Sequence, residues 1–261
     1  MAANSDSEYS DVGTIFFQDG YQLAKGFIGK GISRIAILQL MGAAYESIDG
    51  LIDSFRKRCE REEMTVDCQK GCSYCCNQAV LASNHEILVL SHYVDEHVPA
   101  KVKEDIKTRT ADKHEITRDM SAMEFLHYIH PCPFLEKGNC LIYPVRPMAC
   151  RCYLSGNLKS CRNQNDNPDD RSAIAELYEF PLRAGRGMNE GIRSALMEAG
   201  LIPSEWLLET FMAAVLKNPQ ILKLWLDGNT PFQIRKLTPE ENKFMREYYD
   251  PSGKSTGSNT G

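Results

Sequence analysis

Ten cysteines occur in the 261-residue chain, and seven of them fall into two clusters with the spacing of metal ligands. These are Cys68, Cys72, Cys75 and Cys76 in the first cluster, and Cys132, Cys140 and Cys150 in the second. Gaps of two or three residues let one turn of backbone direct successive sulfurs to a common point. Zinc and iron–sulfur sites require that arrangement, and disulfide frameworks do not. The spacing therefore predicts a metal or cluster site made of thiolates.

The sequence leaves the number of metals open. Tetrahedral zinc binds four thiolates, and a 4Fe–4S cubane also binds four, so the two clusters hold more thiolates than one such site needs. Cys76 directly follows Cys75, and neighbouring side chains on extended backbone point apart. Cys76 is then suited to a second metal, or to the first site if the backbone bends. Two metals, and one cluster with spare thiols, are both consistent with the pattern.

Three basic residues lie within the two motifs: Lys70, Arg146 and Arg151. Four thiolates on one divalent zinc leave two net negative charges, and a typical oxidised cubane site leaves about the same. Basic side chains that hydrogen-bond around a metal site can offset such charge. We therefore predict that these three residues support the ligands.

The other cysteines have weaker claims to a metal. Cys59 lies on the apolar stripe of a predicted helix, where a cysteine is a small buried hydrophobe. Cys152 and Cys161 are candidates for additional ligands, with a role as bystanders equally open. His127 and His130 precede Cys132, and we expect them to be structural histidines beside a helix end.

Composition limits the classes of function. The net charge of −5 and the pI near 5.7 argue against a broad basic surface for nucleic acid. The most apolar stretch, from Ile35 to Ile52, is interrupted by Glu46 and Asp49, which argues against a membrane span. The first residues are polar and acidic, unlike a secretory signal. We expect a cytoplasmic protein with reduced thiols, whose partners are a metal ion and possible protein partners, with no nucleic acid and no membrane.

The hydrophobic pattern predicts a mainly α fold. Apolar residues recur at helical spacing between Ile35 and Cys59, and a Ser83–Glu86 capping box opens a helix to about Val98. Further helices are predicted at about 171–180, 188–199, 204–217 and 219–227, and a last one from a capping box at Thr238. Prolines around the second cluster place its cysteines on loops.

The predicted organisation is one helical domain over residues 12–250, with few short strands around an irregular cysteine-rich centre. That metal-binding region spans residues 68–161. Residues 1–11 are predicted to be a flexible N-terminal segment and residues 251–261 a disordered tail.

The two motifs together resemble the YkgJ-type cysteine-cluster family of zinc- or iron-chelating domains. The first matching motif is Cys68-x3-Cys72-x2-Cys75-Cys76. The second is Cys132-Pro-Phe-Leu, Gly138-x-Cys140-x-Ile-Tyr, and Arg146-Pro-x2-Cys150-Arg-x-Tyr153. The resemblance covers about residues 68–153 and implies zinc or iron, including a 4Fe–4S cluster, on these seven cysteines. One branch of the family contains flagellin lysine N-methylases, so it also implies a possible methyl-transfer enzyme.

One further motif overlaps the first cluster. Cys68-x3-Cys72-x2-Cys75, with Tyr74 before the third cysteine, also matches the loop of radical S-adenosylmethionine enzymes. Their barrel needs repeated strand–helix units after the loop, whereas capped helices and proline-rich loops are predicted here. The pattern therefore disfavours that class.

Three hypotheses remain for the function. The first is a cytoplasmic metal-binding protein that coordinates zinc or iron through both clusters. The second is an iron–sulfur-dependent methyltransferase that uses S-adenosylmethionine, and the third is an interaction module braced by its metal. The sequence contains no Gly-x-Ser-x-Gly elbow, phosphate loop, dinucleotide fingerprint or His-Glu-x-x-His motif, and it leaves enzymatic activity undecided.

Overall fold

The structure, a computed structural model, describes residues 5–69, 71–170, 172–231 and 239–240. It confirms the predicted mainly α fold with few short strands. The helices are α1 (Ser5–Ile28), α2 (Arg34–Arg61), α3 (Asn84–His97), α4 (Ala100–Thr117), α5 (Ala122–His127), α6 (Met148–Arg151), α7 (Leu158–Asp166), α8 (Glu179–Glu198), α9 (Leu208–Lys217) and α10 (Gln220–Leu226).

The strands are short and form two antiparallel pairs. Strand β1 (Leu81–Ser83) pairs with β4 (Glu205–Leu207), and β2 (Leu135–Glu136) pairs with β3 (Asn139–Cys140). The first pair ties the start of α3 to the segment before α9. The second pair is a hairpin inside the cysteine-rich centre.

Helices α1 and α8 pack side by side at very short range. A Cβ atom added at Gly20 would lie 2.1 Å from the carbonyl oxygen of Met188, and one added at Gly191 would lie 2.0 Å from that of Phe17. Only glycine permits this separation of the two backbones. The α1–α8 pair is therefore held by close backbone packing as well as by apolar side chains.

Helix α2 is the central core helix. Ile37, Leu40, Met41 and Ile48 on it are completely buried, and Ser33 caps its N-terminus by accepting the amide of Ala36. By length and composition α2 could cross a membrane. Burial of its apolar face inside the helical body accounts for that composition.

Several predicted boundaries differ from the structure. Helix α1 begins at Ser5, inside the segment predicted to be flexible. The helix predicted at about 171–180 is wrong over residues 172–178, and residues 205–207 form β4 instead of the start of a helix. The helix predicted from Thr238 and the tail predicted at 251–261 lie outside the described residues, apart from residues 239 and 240.

The α1–α8 packing gives a direct test. We expect Gly191→Ala to lower the free energy of unfolding by about 1–3 kcal/mol, because its methyl group would collide with the α1 backbone. Gly50→Ala in α2 is the control, since a Cβ there meets no atom within 4 Å, and it should stabilise the protein by about 0.5–1 kcal/mol. Urea denaturation measures both; equal effects of the two substitutions would contradict this account of the helix pair.

Candidate metal centre

The first cluster lies on a tight loop that ends in a short 3-10 helix (Tyr74–Asn77). Gly71 has a φ of 90°, a left-handed conformation that favours glycine, and it lets the chain turn between Cys68 and Cys72. The amide of Cys76 donates to the carbonyl of Ser73 at 3.0 Å. Cys75 and Cys76 therefore lie on a helical turn and not on extended backbone.

The second cluster packs directly on the first. The amide of Cys132 donates to the carbonyl of Cys76 at 2.7 Å, which joins the two motifs through their backbones. Cys140 is presented by the β2–β3 hairpin, whose two turn residues, Lys137 and Gly138, have φ values of 49° and 77°. Two positive φ values are typical of a type I′ hairpin turn. The structure thus brings the two predicted motifs together.

Cys150 lies on α6, and a buried carboxylate fixes that helix. One carboxylate oxygen of Glu86 accepts the amide of Met148 at 2.7 Å, at the first turn of α6. The other accepts the amide of Ser83 at 2.8 Å, which confirms the predicted capping box. Glu86 therefore caps two helices at once, and its link to α6 has no signal in the sequence.

Arg151 is completely buried beside Cys150. Its guanidinium pairs with Asp49 of α2, donates to the carbonyl of Pro144 at 2.7 Å, and lies 4.1 Å from the ring centre of Tyr45. Arg151 therefore fixes the second cluster onto the core helix. We predicted that Arg151 would support the ligands from beside the sulfurs. Its direct partners are instead oxygen atoms and an aromatic ring.

Of the other two basic residues predicted to support the ligands, the structure describes only Arg146. Arg146 lies 3.7 Å from Asp49. A hydrogen bond with Cys76 lowers the pKa of the Cys75 thiol and the charge of Arg146 adds to that effect, whereas burial raises the pKa of Cys140 against the opposing charge of Arg146. That supports its predicted role near the ligands. Lys70 lies outside the described residues. Lys113, buried on α4, was missed: its charge favours ionisation of Cys132, and its ammonium donates to the carbonyl of His130 at 3.1 Å.

The remaining cysteines are placed differently from one another. Cys59 is buried on α2, as predicted for a core residue. Cys152 packs in the hydrophobic core against α8, where a Cβ added at Gly185 would lie 2.2 Å from its sulfur. Cys161 is buried on α7, which the Asp67–Leu158 and Tyr74–Arg162 hydrogen bonds hold against the loop of the first cluster.

The two histidines before Cys132 have structural partners. His127 is hydrogen-bonded through Nδ1 to the carbonyl of Pro168 at 2.7 Å. The amide of His130 donates to the carbonyl of Asn77 at 2.8 Å, and its ring stacks on Tyr128. These contacts fit the expectation that neither is a metal ligand.

Burial opposes ionisation of most of the cluster thiols. It raises the pKa of Cys132 to about 11 and that of Cys150 well above its ordinary value. Burial likewise raises the pKa of Cys68, Cys72 and Cys140. A thiolate is the metal-binding form, so a bound cation has to displace these protons.

Backbone amides point at several of the sulfurs and favour the thiolate. Ser155 donates its amide to the sulfur of Cys68 at 3.2 Å. Burial raises the pKa of Cys72, Cys132 and Cys140, and the nearby backbone amides of Tyr74, Phe134 and Ile142, respectively, act in the opposite direction. Hydrogen bonds to sulfur of this kind stabilise negative charge on a metal-bound thiolate. These amides therefore offset part of the effect of burial on the thiols.

The thiols as they stand do not form a closed coordination sphere. In the part of the chain that the structure describes, no group of three or more His, Cys, Asp or Glu side chains is arranged to hold a metal ion. Metal binding would thus require the cysteine side chains to turn towards a common point as they lose their protons. The donor types fit zinc or iron, both of which bind thiolates.

Comparison with known proteins agrees with this chemistry. The CxxCxxCC family, described as "Putative zinc- or iron-chelating domain", matches residues 67–168, which confirms the predicted family resemblance. No curated protein and no solved structure matches the chain. The matched segment contains every cysteine of the two motifs as well as Cys161. Residues 67–168 therefore resemble a cysteine-rich domain of the putative zinc- or iron-chelating type.

The buried arginine gives a test of how the centre is supported. We expect Arg151→Lys to lower the free energy of unfolding by about 1–3 kcal/mol, because one ammonium cannot replace the planar contacts to Asp49 and the Pro144 carbonyl. Arg58→Lys, at an exposed ion pair with Glu62, should change it by less than about 0.5 kcal/mol. Chemical denaturation of both variants provides the measurement; an unchanged Arg151→Lys protein would show that Arg151 does not support the centre.

Proposed function

We propose that this protein is a cytoplasmic metal-binding protein that coordinates zinc or iron through the thiolates of both cysteine clusters. Its ligands are the seven predicted residues, namely Cys68, Cys72, Cys75, Cys76, Cys132, Cys140 and Cys150. Metal binding then contributes directly to the stability of the loops that carry them, because those loops have little regular structure of their own.

The observation that carries the proposal is the joining of the two motifs. They are separated by more than fifty residues of sequence, yet the Cys132 amide bonds to the Cys76 carbonyl. The amide of Ser155, which follows the second motif, also donates to the sulfur of Cys68 in the first motif at 3.2 Å. A set of cysteines kept only for packing would need neither feature.

All ten cysteines are free thiols in the structure, which suits a reducing compartment. That supports the cytoplasmic location in the proposal. In an oxidising compartment, thiols this numerous and close would instead be expected to form disulfides.

The enzymatic alternatives have less support. A cavity of about 660 Å³ lies between α2 and α3, within the size range of ligand pockets. Its lining includes Tyr45, Asp49, His92 and Val145, and no cysteine is among the described residues that line it. The thiols therefore do not open onto this cavity, and a methyltransferase that used both would need a different path to its substrate.

Cysteine variants test the proposal. After purification without oxygen, we expect Cys72→Ser and Cys150→Ser to retain clearly less metal per chain than the wild type, since each removes a ligand. Cys59→Ser is the control: Cys59 is a buried core residue of α2 outside the two motifs, and the metal content of this variant should equal that of the wild type. Elemental analysis measures the metal, and a visible absorption spectrum distinguishes a coloured iron–sulfur cluster from zinc.

The same measurement can reject the proposal. A folded wild-type protein without zinc or iron would remove it. So would equal metal content in Cys59→Ser, Cys72→Ser and Cys150→Ser.

A further inference from the structure

We propose that the cavity between α2 and α3 binds a linear aliphatic polyamine, a small organic cation with an ammonium group at each end. No cysteine is among the described residues that line this cavity. Occupation of the cavity is therefore separate from metal binding at the cysteine clusters.

The cavity extends along one side of α2 and has the size of a small-molecule site. Its volume is about 660 Å³, within the range of ligand pockets. Its α2 lining recurs at three- and four-residue steps, at Leu38, Gly42, Glu46, Asp49 and Asp53. That spacing places these residues on one side of the helix, over about 22 Å of its axis. An elongated ligand therefore matches the cavity.

Two glycines inside α2 keep this side of the helix open. A Cβ atom added at Gly42 or Gly50 would meet no atom within 4 Å, and neither residue has a positive φ. Neither packing nor backbone conformation therefore requires glycine at these positions, although glycine inside a helix is less stable than alanine. Both glycines line the cavity, and larger side chains there would fill it.

Negative charge lies at two places on the α2 side of the cavity. Glu46 and Asp53 are exposed, and neither forms an ion pair with another described residue. Asp49 lies between them in the sequence and is paired with Arg151 and Arg146. No lysine or arginine is among the described residues that line the cavity. Glu46 and Asp53 are therefore available to two cationic groups of a ligand.

The separation of the two carboxylates favours a ligand of a particular length. Glu46 and Asp53 are seven residues apart, which corresponds to about 10 Å along the helix axis. The terminal ammonium groups of an extended spermidine molecule lie at a comparable separation, so each can pair with one carboxylate. A shorter diamine such as putrescine can reach only one of them.

The rest of the lining suits the methylene groups of such a chain. Leu38, Val89 and Val145 are apolar, and the rings of Tyr93 and His97 are stacked with their centres 4.6 Å apart. Aromatic faces attract organic cations as well as apolar groups. Hard metal ions prefer a shell of oxygen ligands, so this surface fits an alkylammonium ion better than a hydrated metal ion.

Two further polar side chains of the lining are compatible with a cationic ligand. Tyr45 is 4% exposed, and its hydroxyl has no hydrogen-bond partner among the described residues. Buried polar groups of this kind are commonly completed by a water, an ion or a ligand. His92 accepts through Nδ1 from Arg34 at 3.3 Å, because a guanidinium can only donate. The His92 ring is therefore uncharged and does not repel a cation.

Calorimetric titration of the full chain with spermidine, at low ionic strength, tests the site. We expect one saturable site per chain, weaker binding as salt is added, and weaker binding of putrescine. Gly50→Leu should lower the affinity for spermidine by roughly tenfold or more, because the new side chain fills the cavity. Ser47→Leu is the matched control: Ser47 is an exposed α2 residue outside the lining, so this variant should bind as the wild type does.

Charge variants separate a specific site from general attraction to an acidic protein. Glu46→Gln and Asp53→Asn should each weaken spermidine binding by roughly threefold or more, because each removes the partner of one ammonium group. Glu60→Gln removes an exposed carboxylate of α2 outside the lining and should leave binding unchanged. Zinc or iron content should be the same in each of these variants, since none of them alters a cysteine.

Several results would overturn the polyamine site while leaving metal binding intact. They are a folded wild-type protein without saturable spermidine binding, equal affinities of Gly50→Leu and Ser47→Leu, and equal effects of Glu46→Gln and Glu60→Gln. Loss of binding in Gly50→Leu with no effect of either lining carboxylate would show that the cavity does not select a cation, and it would reject the inference as well.

Discussion

Burial of the cysteine thiols opposes their ionisation. The contacts that hold the cysteine loops in place have to be understood in the light of that constraint. A buried thiolate is costly unless a cation and hydrogen-bond donors accompany it. Desolvation of the thiols raises the pKa of Cys132 to about 11 and that of Cys150 well above its ordinary value, so both are protonated at neutral pH when no metal is bound. The centre can then be occupied only if metal binding releases protons, which couples its stability to the metal.

The surrounding helices hold the cysteine-bearing loops in place through carboxylate side chains. Glu86 connects α3 to the helix that carries Cys150, and Asp49 connects α2 to Arg151. Asp67 does the same for α7 and the first loop. Three carboxylates therefore position the cysteine segments through charge-assisted hydrogen bonds, which are stronger and more directional than apolar contacts.

The sequence predicted those features that depend on local spacing. The long helix through Ile35, the Ser83–Glu86 box and the two cysteine motifs all reflect short-range patterns, and each is present in the structure. The strand at residues 205–207 was missed because its partner, β1, lies more than one hundred residues earlier. Long-range pairing of this kind leaves no mark in the periodicity of one segment.

The same distinction applies to the site. Cys152 and Cys161 were equivalent in sequence, and only the packing of α7 and α8 separates them. Asp49 and Lys113 belong to helices whose patterns indicate ordinary amphipathic surfaces, so their contacts with the cysteine region could not be predicted. Their roles depend on how those helices dock, which tertiary packing decides.

X-ray absorption spectroscopy of the metal in the protein purified without oxygen tests the central claim most directly. Thiolate coordination predicts a first shell of about four sulfur neighbours per metal, at distances near 2.3 Å if the metal is zinc. A first shell dominated by nitrogen or oxygen would contradict binding by the cysteine clusters.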